Sequence, residues 1–486
     1  MLLFFSGLLF LILGYFTYGR FIERLLGPDD RLTPAIAKND GVDTLPLPKW
    51  KNLLIQLLNI AGVGPIIGVI IGIKFGLKCF WIIPLGCVLG GAVHDFISGF
   101  ISLRNNGINL PEQTRRSFGN LYYRFYVIFV VLLLLLVVAV FVNIPAKLLA
   151  SLIPISTSET TLFWIMVAVV FLYYVASTLF PIDTIIGKIY PLFGAILLVG
   201  SLAMFGALTW EVAQMPTLLT ETEAFVQGMF TDLPVIPCLF VTIACGIISG
   251  FHATQSPIVA RTMRSEREAK ATYYGMMIAE GVIAMIWAAA GMAIYNLFPE
   301  LMSSNPTLAL KKSTEYFLGN AIGIVTIISV VVLAITSGDT ALRSLRLTLA
   351  EYLHFPQQKL SARILITLPP IALALLILWW SNRDAASFES LWKYFAWGNQ
   401  ILAASTLMMC AVWLKRQGKT PWVALIPGMF MTFIVTSFIL WSHTSYRGCP
   451  YGCHLPLHLA YAVAGVFTLI CAVTVWRLGS KPEPAA

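Results

Sequence analysis

The chain has 486 residues, of which 58% are hydrophobic and 11% are charged, and its mean hydropathy is +0.82. Soluble domains carry about 25% charged residues, so this composition excludes a soluble protein and predicts a polytopic membrane protein. The net charge of +9 does not indicate a nucleic-acid partner, because excess Lys and Arg in a membrane protein usually mark the cytoplasmic loops.

Thirteen apolar segments long enough to cross a bilayer follow one another along the chain. We expect the first to be a membrane span rather than a signal peptide, since no basic region precedes it and Arg20 and Arg24 flank its far end. The predicted spans lie near residues 2–20, 54–73, 79–101, 122–142, 161–180, 187–208, 235–256, 271–296, 322–345, 363–380, 391–413, 421–441 and 457–476.

The loops between these segments alternate in charge. The loops after segments 1, 3, 7, 9 and 11 contain clusters of Lys and Arg, whereas the loop near residues 209–234 has neither and is acidic. Because basic loops remain on the cytoplasmic side, we expect the N-terminus outside the membrane and the C-terminus inside.

The loop after segment 1 contains "GPDDRLTPAIAKNDGVD", in which Pro28, Pro34 and Gly41 break helices. Two interpretations remain open. The loop forms a short amphipathic element on the bilayer surface, which is the interpretation that we prefer. Alternatively, it is a gate that latches by ion pairs onto "RTMRSEREA" after segment 7.

Segments 2 and 7 are interrupted in the middle. Segment 2 contains Gly62-Val63-Gly64-Pro65, and segment 7 runs into "CGIISGFHATQSPIVAR", which is rich in glycine and polar residues. Each interrupted segment begins a run of five, and since five is odd, the two runs have opposite orientations in the membrane. Interrupted helices in matching places of two inverted halves are typical of the binding site of a secondary transporter.

The predicted fold is therefore all-α, with a 5+5 inverted repeat of the leucine-transporter (APC-like) type and extra helices. Residues 1–53 form an N-terminal helix and a cytoplasmic loop, 54–208 the first five-helix repeat and 235–413 the second. Residues 421–486 supply two additional helices and a short C-terminal tail.

Unwound backbone at membrane depth leaves carbonyls for a cation and N–H groups for an anionic solute. The alternative is that the glycines only allow close helix packing, which explains Pro65 and the polar residues of segment 7 less well. We predict a substrate-binding site formed by Asn59, Gly62, Gly64, Gly246, Ser249, Gly250, His252, Gln255 and Ser256.

Ionisable residues inside spans are costly and indicate a function by default. His94 and Asp95 are neighbours in segment 3 and need not contact each other. They either take part in ion coupling, with His94 as a proton carrier, or lie in water near the cytoplasmic end. Glu280 in segment 8 is either a proton carrier or the structural partner of an arginine.

Segment 9 contains "ITSGDTALRSLR", in which Asp339 and Arg343 share a helix face and can form an ion pair. In the leucine-transporter fold this helix meets the first interrupted helix to form a sodium site, and hard cations take oxygen ligands. Asp339 therefore either takes part in ion coupling or only neutralises Arg343. By analogy with that fold alone, the expected sodium ligands are carbonyls near Gly62 and the hydroxyls of Thr336, Ser337 and Thr340.

A predicted outer loop reads "HTSYRGCPYGCHLPLH". Cys449 and Cys453 lie in a compartment that permits disulfides, so a Cys449–Cys453 bridge is a candidate. A C-x3-C spacing beside His454 and His458 is also a weak zinc pattern, which remains the alternative.

Several long motifs resemble the carbon starvation protein A family, whose members include peptide transporters and a pyruvate–proton symporter. The resemblance implies a leucine-transporter-like carrier in a bacterial-type inner (plasma) membrane. It also implies uptake of short peptides or of a monocarboxylate such as pyruvate during carbon starvation, by symport with H+ or Na+ and without another cofactor. Long members carry more C-terminal sequence, so the substrate does not transfer directly. The motifs cover roughly residues 20–350 and read "LGPDDRLTPAIAKNDGVD", "NIAGVGPIIG", "GCVLGGAVHDFISG", "LRNNGINLPE", "FPIDTIIGKIYPLFG", "GIISGFHATQSPIVARTMRSEREA" and "ITSGDTALRSLRL".

Other classes of function receive less support from the sequence. It contains no HExxH and no GxSxG motif, so no enzyme is predicted. Interrupted helices also build channels, and carriers can double as nutrient sensors, so a channel or a nutrient sensor on a transporter fold is the alternative function. The predicted partners are the lipid bilayer and a small carboxylate-bearing solute.

Overall fold

The computed structural model describes residues 1–153, 158–184, 186–303, 306–443 and 452–482, without the side chains of residues 385, 386 and 389. Within these ranges the secondary structure is helical and contains no β-strand. The all-α class predicted from the composition is therefore confirmed.

Twelve helices in the described part of the chain are long and apolar enough to cross a membrane, and one bent pair of helices supplies a thirteenth span. This number agrees with the thirteen predicted segments. In chain order the spans are α1 Leu2–Leu26, α2 Lys49–Ile60 with Gly64–Phe75, α3 Cys79–Arg104, α4 Asn120–Leu152, α5 Glu159–Leu179, α6 Ile186–Gln214, α7 Val235–Ala260, α8 Glu266–Leu297, α9 Pro306–Tyr352, α10 Leu360–Ser381, α11 Ser390–Arg416, α12 Trp422–Trp441 and α13 Leu457–Gly479.

Helix α2 is broken where its sequence predicts a break. Its two halves, Lys49–Ile60 and Gly64–Phe75, meet at an angle of 53°. Pro65 stands in the first turn of the second half, where its missing N–H costs nothing and its fixed φ suits the start of a helix. The break therefore follows from local chemistry.

Helix α7 contains the second break. Its first half ends at Ile243, a short 3-10 turn covers Ala244–Gly246, and its second half runs over Gly250–Ala260. Ser249 between them has an extended backbone, with φ −121° and ψ 123°. Helical hydrogen bonding is thus interrupted for several residues.

The two breaks pack directly on each other. A Cβ atom built on Gly64 would lie 2.2 Å from the Cβ atom of Cys245, and one built on Gly246 would lie 3.0 Å from the Cα atom of Pro65. Real Cβ atoms do not approach at the first distance, so only glycine allows this crossing at position 64. Close packing at these glycines therefore occurs together with the helix interruption, and the binding-site explanation stays a prediction.

Of the twelve long helices in the described chain, α8 is the most buried, whereas α13 presents most of its length outward. Apolar side chains cover that outward surface, for example Leu469 and Ile470, as expected of a surface that faces lipid. Where α9 and α11 meet the broken helices, in contrast, buried polar side chains occur, among them Ser337, Asn59 and Asn399.

The loops after α1, α3, α7 and α11 lie together at one end of the bundle, which we call the basic end. Arg104 of α3 pairs with Glu266 at 3.1 Å, and its guanidinium donates to the Gly27 carbonyl at 2.7 Å. The Lys419 ammonium donates to the Leu26 carbonyl at 2.5 Å. The predicted alternation of loop charge therefore corresponds to one physical end of the molecule.

The α1–α2 loop, residues 27–48, is fastened to the end of α7 by backbone hydrogen bonds. The Leu45 N–H donates to the Arg261 carbonyl at 3.1 Å, and the Leu47 N–H donates to the Thr262 carbonyl at 2.9 Å. At the rim of the same loop, Asp30 and Arg267 form an ion pair of 2.7 Å. These contacts match the latch onto "RTMRSEREA", and the preferred bilayer-surface role stays a prediction.

A buried ion-pair cluster fastens the same loop to α9. Asp43 is 5% exposed and lies 2.5 Å from the Arg343 guanidinium and 2.8 Å from that of Arg346. The sequence interpretation that Arg343 pairs with Asp339 is therefore wrong. Arg343 pairs instead with a carboxylate of the α1–α2 loop, which precedes it by 300 residues.

Candidate functional site

Two buried polar clusters lie beside the crossing of α2 and α7. The acid–imidazole cluster consists of His94, Asp95, His252 and Glu280, and none of these residues is more than 1% exposed. The hydroxyl cluster surrounds the last turn of the first half of α2 and consists of Asn59, Tyr190, Thr336, Ser337, Asp339 and Thr340, all at most 1% exposed.

The acid–imidazole cluster joins α3, α7 and α8. Asp95 lies 2.8 Å from the Nδ1 atom of His94 and 3.0 Å from the Nδ1 atom of His252. The opposite ring nitrogen of His252, Nε2, faces Glu280 at 3.7 Å. His252 thus stands between two carboxyl groups, although the sequence placed it in the substrate site.

Three sequence interpretations change at this cluster. His94 and Asp95 contact each other although they are adjacent in a helix, and neither lies in water at a helix end. Glu280 has no arginine partner within the described chain, and both of its carboxyl oxygens lack a hydrogen bond there. A buried carboxylate without a hydrogen bond is costly, so a purely structural role does not account for Glu280.

The hydroxyl cluster joins α9 to α2. The Thr336 hydroxyl donates to the Leu58 carbonyl at 2.7 Å, and the Ser337 hydroxyl donates to the Asn59 carbonyl at 2.9 Å. The Thr340 hydroxyl lies 3.1 Å from the side-chain oxygen of Asn59. The structure therefore brings together the helices and hydroxyls that the sodium-site prediction named, with carbonyls one turn before Gly62.

Asp339 lies within the hydroxyl cluster rather than beside Arg343. Its carboxyl oxygens accept from the Ser177 and Tyr190 hydroxyls, both at 3.1 Å. The Tyr190 hydroxyl also lies 2.9 Å from the Asn59 side-chain oxygen. A phenol carries one hydrogen, so it serves one of these acceptors at a time. Tyr190 was not predicted, because its partners Asn59 and Asp339 precede and follow it by 131 and 149 residues.

The first turn of the second half of α7 is already capped from α11. The Asn399 side-chain oxygen accepts from the Phe251 N–H at 2.7 Å, and its amide donates to the Ser249 hydroxyl at 2.9 Å. A Cβ atom on Gly250 would lie 2.3 Å from the backbone nitrogen of Ala403. Gly250 is thus closely packed against α11, and Asn399, which stands beside Gln400 in the sequence, was not predicted.

The remaining predicted substrate residues lie close by with mixed roles. The Ser256 hydroxyl donates to the His252 carbonyl in its own helix at 3.0 Å. The Gln255 amide lies 3.2 Å from the Thr254 hydroxyl, and its side-chain oxygen has no hydrogen-bond partner. Gly62 leaves room for Phe141 and for the Ser337 hydroxyl. These residues stay predictions as substrate contacts.

The cysteine and histidine predictions of the outer loop remain untested. Cys449 lies outside the described residues, so the Cys449–Cys453 bridge cannot be placed. Cys453 is exposed, and the rings of His443 and His454 lie 5.0 Å apart. The described part of the chain, which includes His458, contains no group of three or more Cys, His, Asp or Glu residues suited to a metal ion.

Comparisons with known sequences identify a family. The sequence model of the family described as carbon starvation protein CstA matches residues 1–203, 190–316 and 309–438. An uncharacterized membrane protein of Haemophilus influenzae is 39% identical over 342 residues, which are 61% of this chain and 92% of that protein.

Two relatives have names that state what they transport. A Helicobacter pylori peptide transporter CstA is 28% identical over 56% of this chain and 48% of its own length. The Escherichia coli pyruvate/proton symporter BtsT is 25% identical over 54% of this chain and 45% of its own length. The chain thus spans about half the length of these two transporters.

Solved structures resemble the fold at low sequence identity. The transporter MhsT, crystallised with L-phenylalanine, superposes with a TM-score of 0.54 at 13% identity and covers 89% of this chain and 99% of MhsT. A manganese transporter of Eremococcus coleocola gives a TM-score of 0.53 at 12% identity over 91% of this chain and 97% of its own. Both have the leucine-transporter fold, which confirms the predicted fold class.

Proposed function

The chain belongs to the carbon starvation protein CstA family, and from that premise we propose that it is an ion-coupled secondary transporter. Its solute is a small carboxylate-bearing nutrient, either a short peptide or a monocarboxylate such as pyruvate. The coupling ion is H+ or Na+, and the working condition is carbon starvation.

One observation supports this proposal most directly. Two broken helices cross at membrane depth, with Gly64 packed on Cys245, and polar side chains line both breaks in full burial. Lipid provides no partners for such groups, so a chain keeps them where they line a solute or ion path. The names of the relatives supply the solute classes.

The second half of α7 supplies the groups for a carboxylate. The N-terminal end of a helix carries a partial positive charge and free N–H groups. Here the Asn399 amide oxygen occupies the Phe251 N–H. A solute carboxylate would take the place of this oxygen, and movement of α11 would accompany the exchange.

Each buried cluster offers one kind of coupling ion. The hydroxyl cluster has the oxygen ligands that suit Na+, for which Thr336 and Ser337 already face α2 carbonyls. The acid–imidazole cluster has titratable groups that suit H+. An ion at the hydroxyl cluster would link the conformation of α2 to α9. A proton at the acid–imidazole cluster would link the conformation of α7 to α3 and α8.

Reconstitution into proteoliposomes tests the function. Labelled pyruvate and labelled alanylalanine are offered under a proton gradient and, separately, under a sodium gradient. We expect saturable accumulation of one solute under one gradient. Absence of any accumulation or exchange contradicts the proposed solutes, flux without saturation supports a channel, and chemical turnover of the solute supports an enzyme.

A further inference from the structure

We propose that the acid–imidazole cluster is the proton-coupling site of this protein, with His252 as the relay between Asp95 and Glu280. This inference rests on the proposed transport function and goes further, because it selects the ion and names its carrier residues. It also moves His252 from the solute site, where the sequence placed it, to the ion site.

The placement of the two ring nitrogens is the first argument. Nδ1 of His252 lies 3.0 Å from Asp95 on α3, and Nε2 lies 3.7 Å from Glu280 on α8. A neutral imidazole donates from one nitrogen and accepts at the other, whereas an imidazolium donates from both. A ring with a carboxyl group at each nitrogen can therefore pass a proton from one to the other.

The proton balance of a transfer is simple. A protonated Glu280 gives its carboxyl hydrogen to Nε2 of His252 while Nδ1 of the same ring gives its hydrogen to Asp95. One O–H bond and one N–H bond break, one N–H bond and one O–H bond form, and the net result is one proton moved from α8 to α3. No oxidant, reductant or further reactant is required.

Unsatisfied polar atoms are the second argument. Both carboxyl oxygens of Glu280 and the Nε2 atom of His94 are buried without a hydrogen-bond partner in the described chain. These atoms mark the two ends of the row Glu280–His252–Asp95–His94. A purely structural network would satisfy its ends, whereas a site that exchanges a proton with water needs open positions there.

The protonation states of the four cluster residues depend on one another. All ion pairs of the cluster are internal, and none involves a Lys or Arg of the described chain. The other titratable groups nearby are the thiols of Cys87 and Cys245 and the phenol of Tyr273.

These neighbours already have hydrogen-bond roles of their own. The Cys87 thiol lies 3.5 Å from the Gly246 carbonyl, and the Tyr273 hydroxyl donates to the Ser256 carbonyl at 3.1 Å. The Cys245 sulfur accepts from the Asn399 amide at 3.3 Å. With both carboxyls ionised and one imidazole protonated, the sealed cluster has one net negative charge, and one added proton neutralises it. Burial favours this neutral form of the cluster. Uptake of the proton therefore favours the state in which the cluster is closed to water.

The test separates driven accumulation from passive exchange. Wild-type protein and the variant Glu280→Gln are reconstituted without sodium, and accumulation of pyruvate and alanylalanine is measured under a gradient of one pH unit. Exchange of internal for external solute is measured at equal pH. With the membrane potential held at zero, one coupled proton per solute gives about tenfold accumulation in the wild type, and we expect Glu280→Gln to fall to no accumulation while exchange persists.

Two further variants guard against a folding defect. Glu280→Asp keeps a carboxyl group and is expected to recover part of the accumulation, whereas Glu223→Gln removes an exposed carboxyl at the opposite end and is expected to match the wild type. Unchanged accumulation in Glu280→Gln overturns the proposal. Equal loss of exchange and accumulation in Glu280→Gln, without recovery in Glu280→Asp, overturns it as well.

The wild-type result distinguishes failure of the relay from failure of the function. Accumulation driven by sodium alone leaves the transporter standing and removes the acid–imidazole cluster from coupling. Neither accumulation nor exchange of either solute contradicts the proposed function itself, and the relay with it. Proton-driven accumulation that depends on Glu280 supports both.

Discussion

Asp43 is the residue whose protonation we expect to control the attachment of the α1–α2 loop. Burial raises the pKa of its carboxyl group, but the guanidinium groups of Arg346 and Arg343 outweigh this effect and lower the pKa from 3.8 to about 2. A folded-state pKa below the unfolded value stabilises the fold above pH 4, and this contribution disappears as the pH falls towards 2.

Replacement of Asp43 by Asn is therefore expected to destabilise the protein at neutral pH. The lost ionisation is equivalent to about 2 kcal/mol, and two buried arginines lose their partner. Thermal unfolding of detergent-solubilised protein measures the change, and the difference from the wild type should shrink between about pH 4 and about pH 2.

The exposed Asp232→Asn variant serves as the control, because its carboxyl group has no ion pair among the described contacts. It should unfold at the wild-type temperature at every pH. A constant difference between wild type and Asp43→Asn over the whole pH range would contradict an ionised role for Asp43.

At the hydroxyl cluster, the contact between α9 and α2 was predictable, whereas the partner of Arg343 was not. Thr336 and Ser337 were assigned to the contact with α2 because hydroxyls at that position fit a known fold, and the structure brings them there. The pairing of Asp339 with Arg343 was inferred from helix spacing alone. Helix spacing gives no information about a distant loop, and Asp43 of the α1–α2 loop is the residue that pairs with Arg343.

At the scale of elements, the crossing of α2 and α7 depends on the absence of one side chain. Gly64→Ala would place its new Cβ atom 2.2 Å from that of Cys245, and one of the two unwound segments must then move. We expect Gly64→Ala to reduce solute exchange in proteoliposomes by about tenfold or more, since small shifts in a positioned site have such effects.

A second change makes this prediction specific. Cys245→Gly removes the atom that the new methyl group meets, so the double variant Gly64→Ala/Cys245→Gly should recover much of the exchange. Gly206→Ala is the control, because nothing lies within 4 Å of its Cβ position. Equal loss in the single and double variants would show that the contact between the breaks is not the cause.

The two breaks were predictable because their cause is local. Two glycines lie at each break, and Pro65 adds to them in α2, which disfavours a continuous helix. The isolated Pro145, in contrast, stays inside its helix. The role of the α1–α2 loop was not predictable, because its stability comes from contacts such as Leu45 with Arg261, which are far apart in sequence. Turn-rich composition describes a surface element and a latch equally well.

At the scale of the whole molecule, the side on which the basic end lies stays a prediction. The loops that meet there carry most of the Lys and Arg clusters, and such loops remain in the cytoplasm. We expect a fluorescent protein fused to the C-terminus to fold and fluoresce in the cytoplasm. A periplasmic alkaline phosphatase fused at the same place should stay inactive, and the reverse pattern would contradict the orientation.

The fold class was predictable because it follows from the number and order of the apolar segments. Thirteen apolar stretches and an odd-numbered repeat determine an inverted arrangement without any knowledge of side-chain contacts. MhsT shares the arrangement of helices, with a TM-score of 0.54, at only 13% identity. The arrangement of helices persists when most of its residues differ, whereas the solute depends on a few of them.

The α1–α2 loop also has a consequence for how the protein is made. Asp43 and Arg343 are 300 residues apart, and ribosomes add about 5–20 residues per second. Arg343 is therefore synthesised roughly 15–60 s after Asp43. During that interval the nascent loop remains in water beside helices that have already entered the bilayer. The loop can fasten only when the ninth helix has left the translocon, which makes its closure a late step of biogenesis.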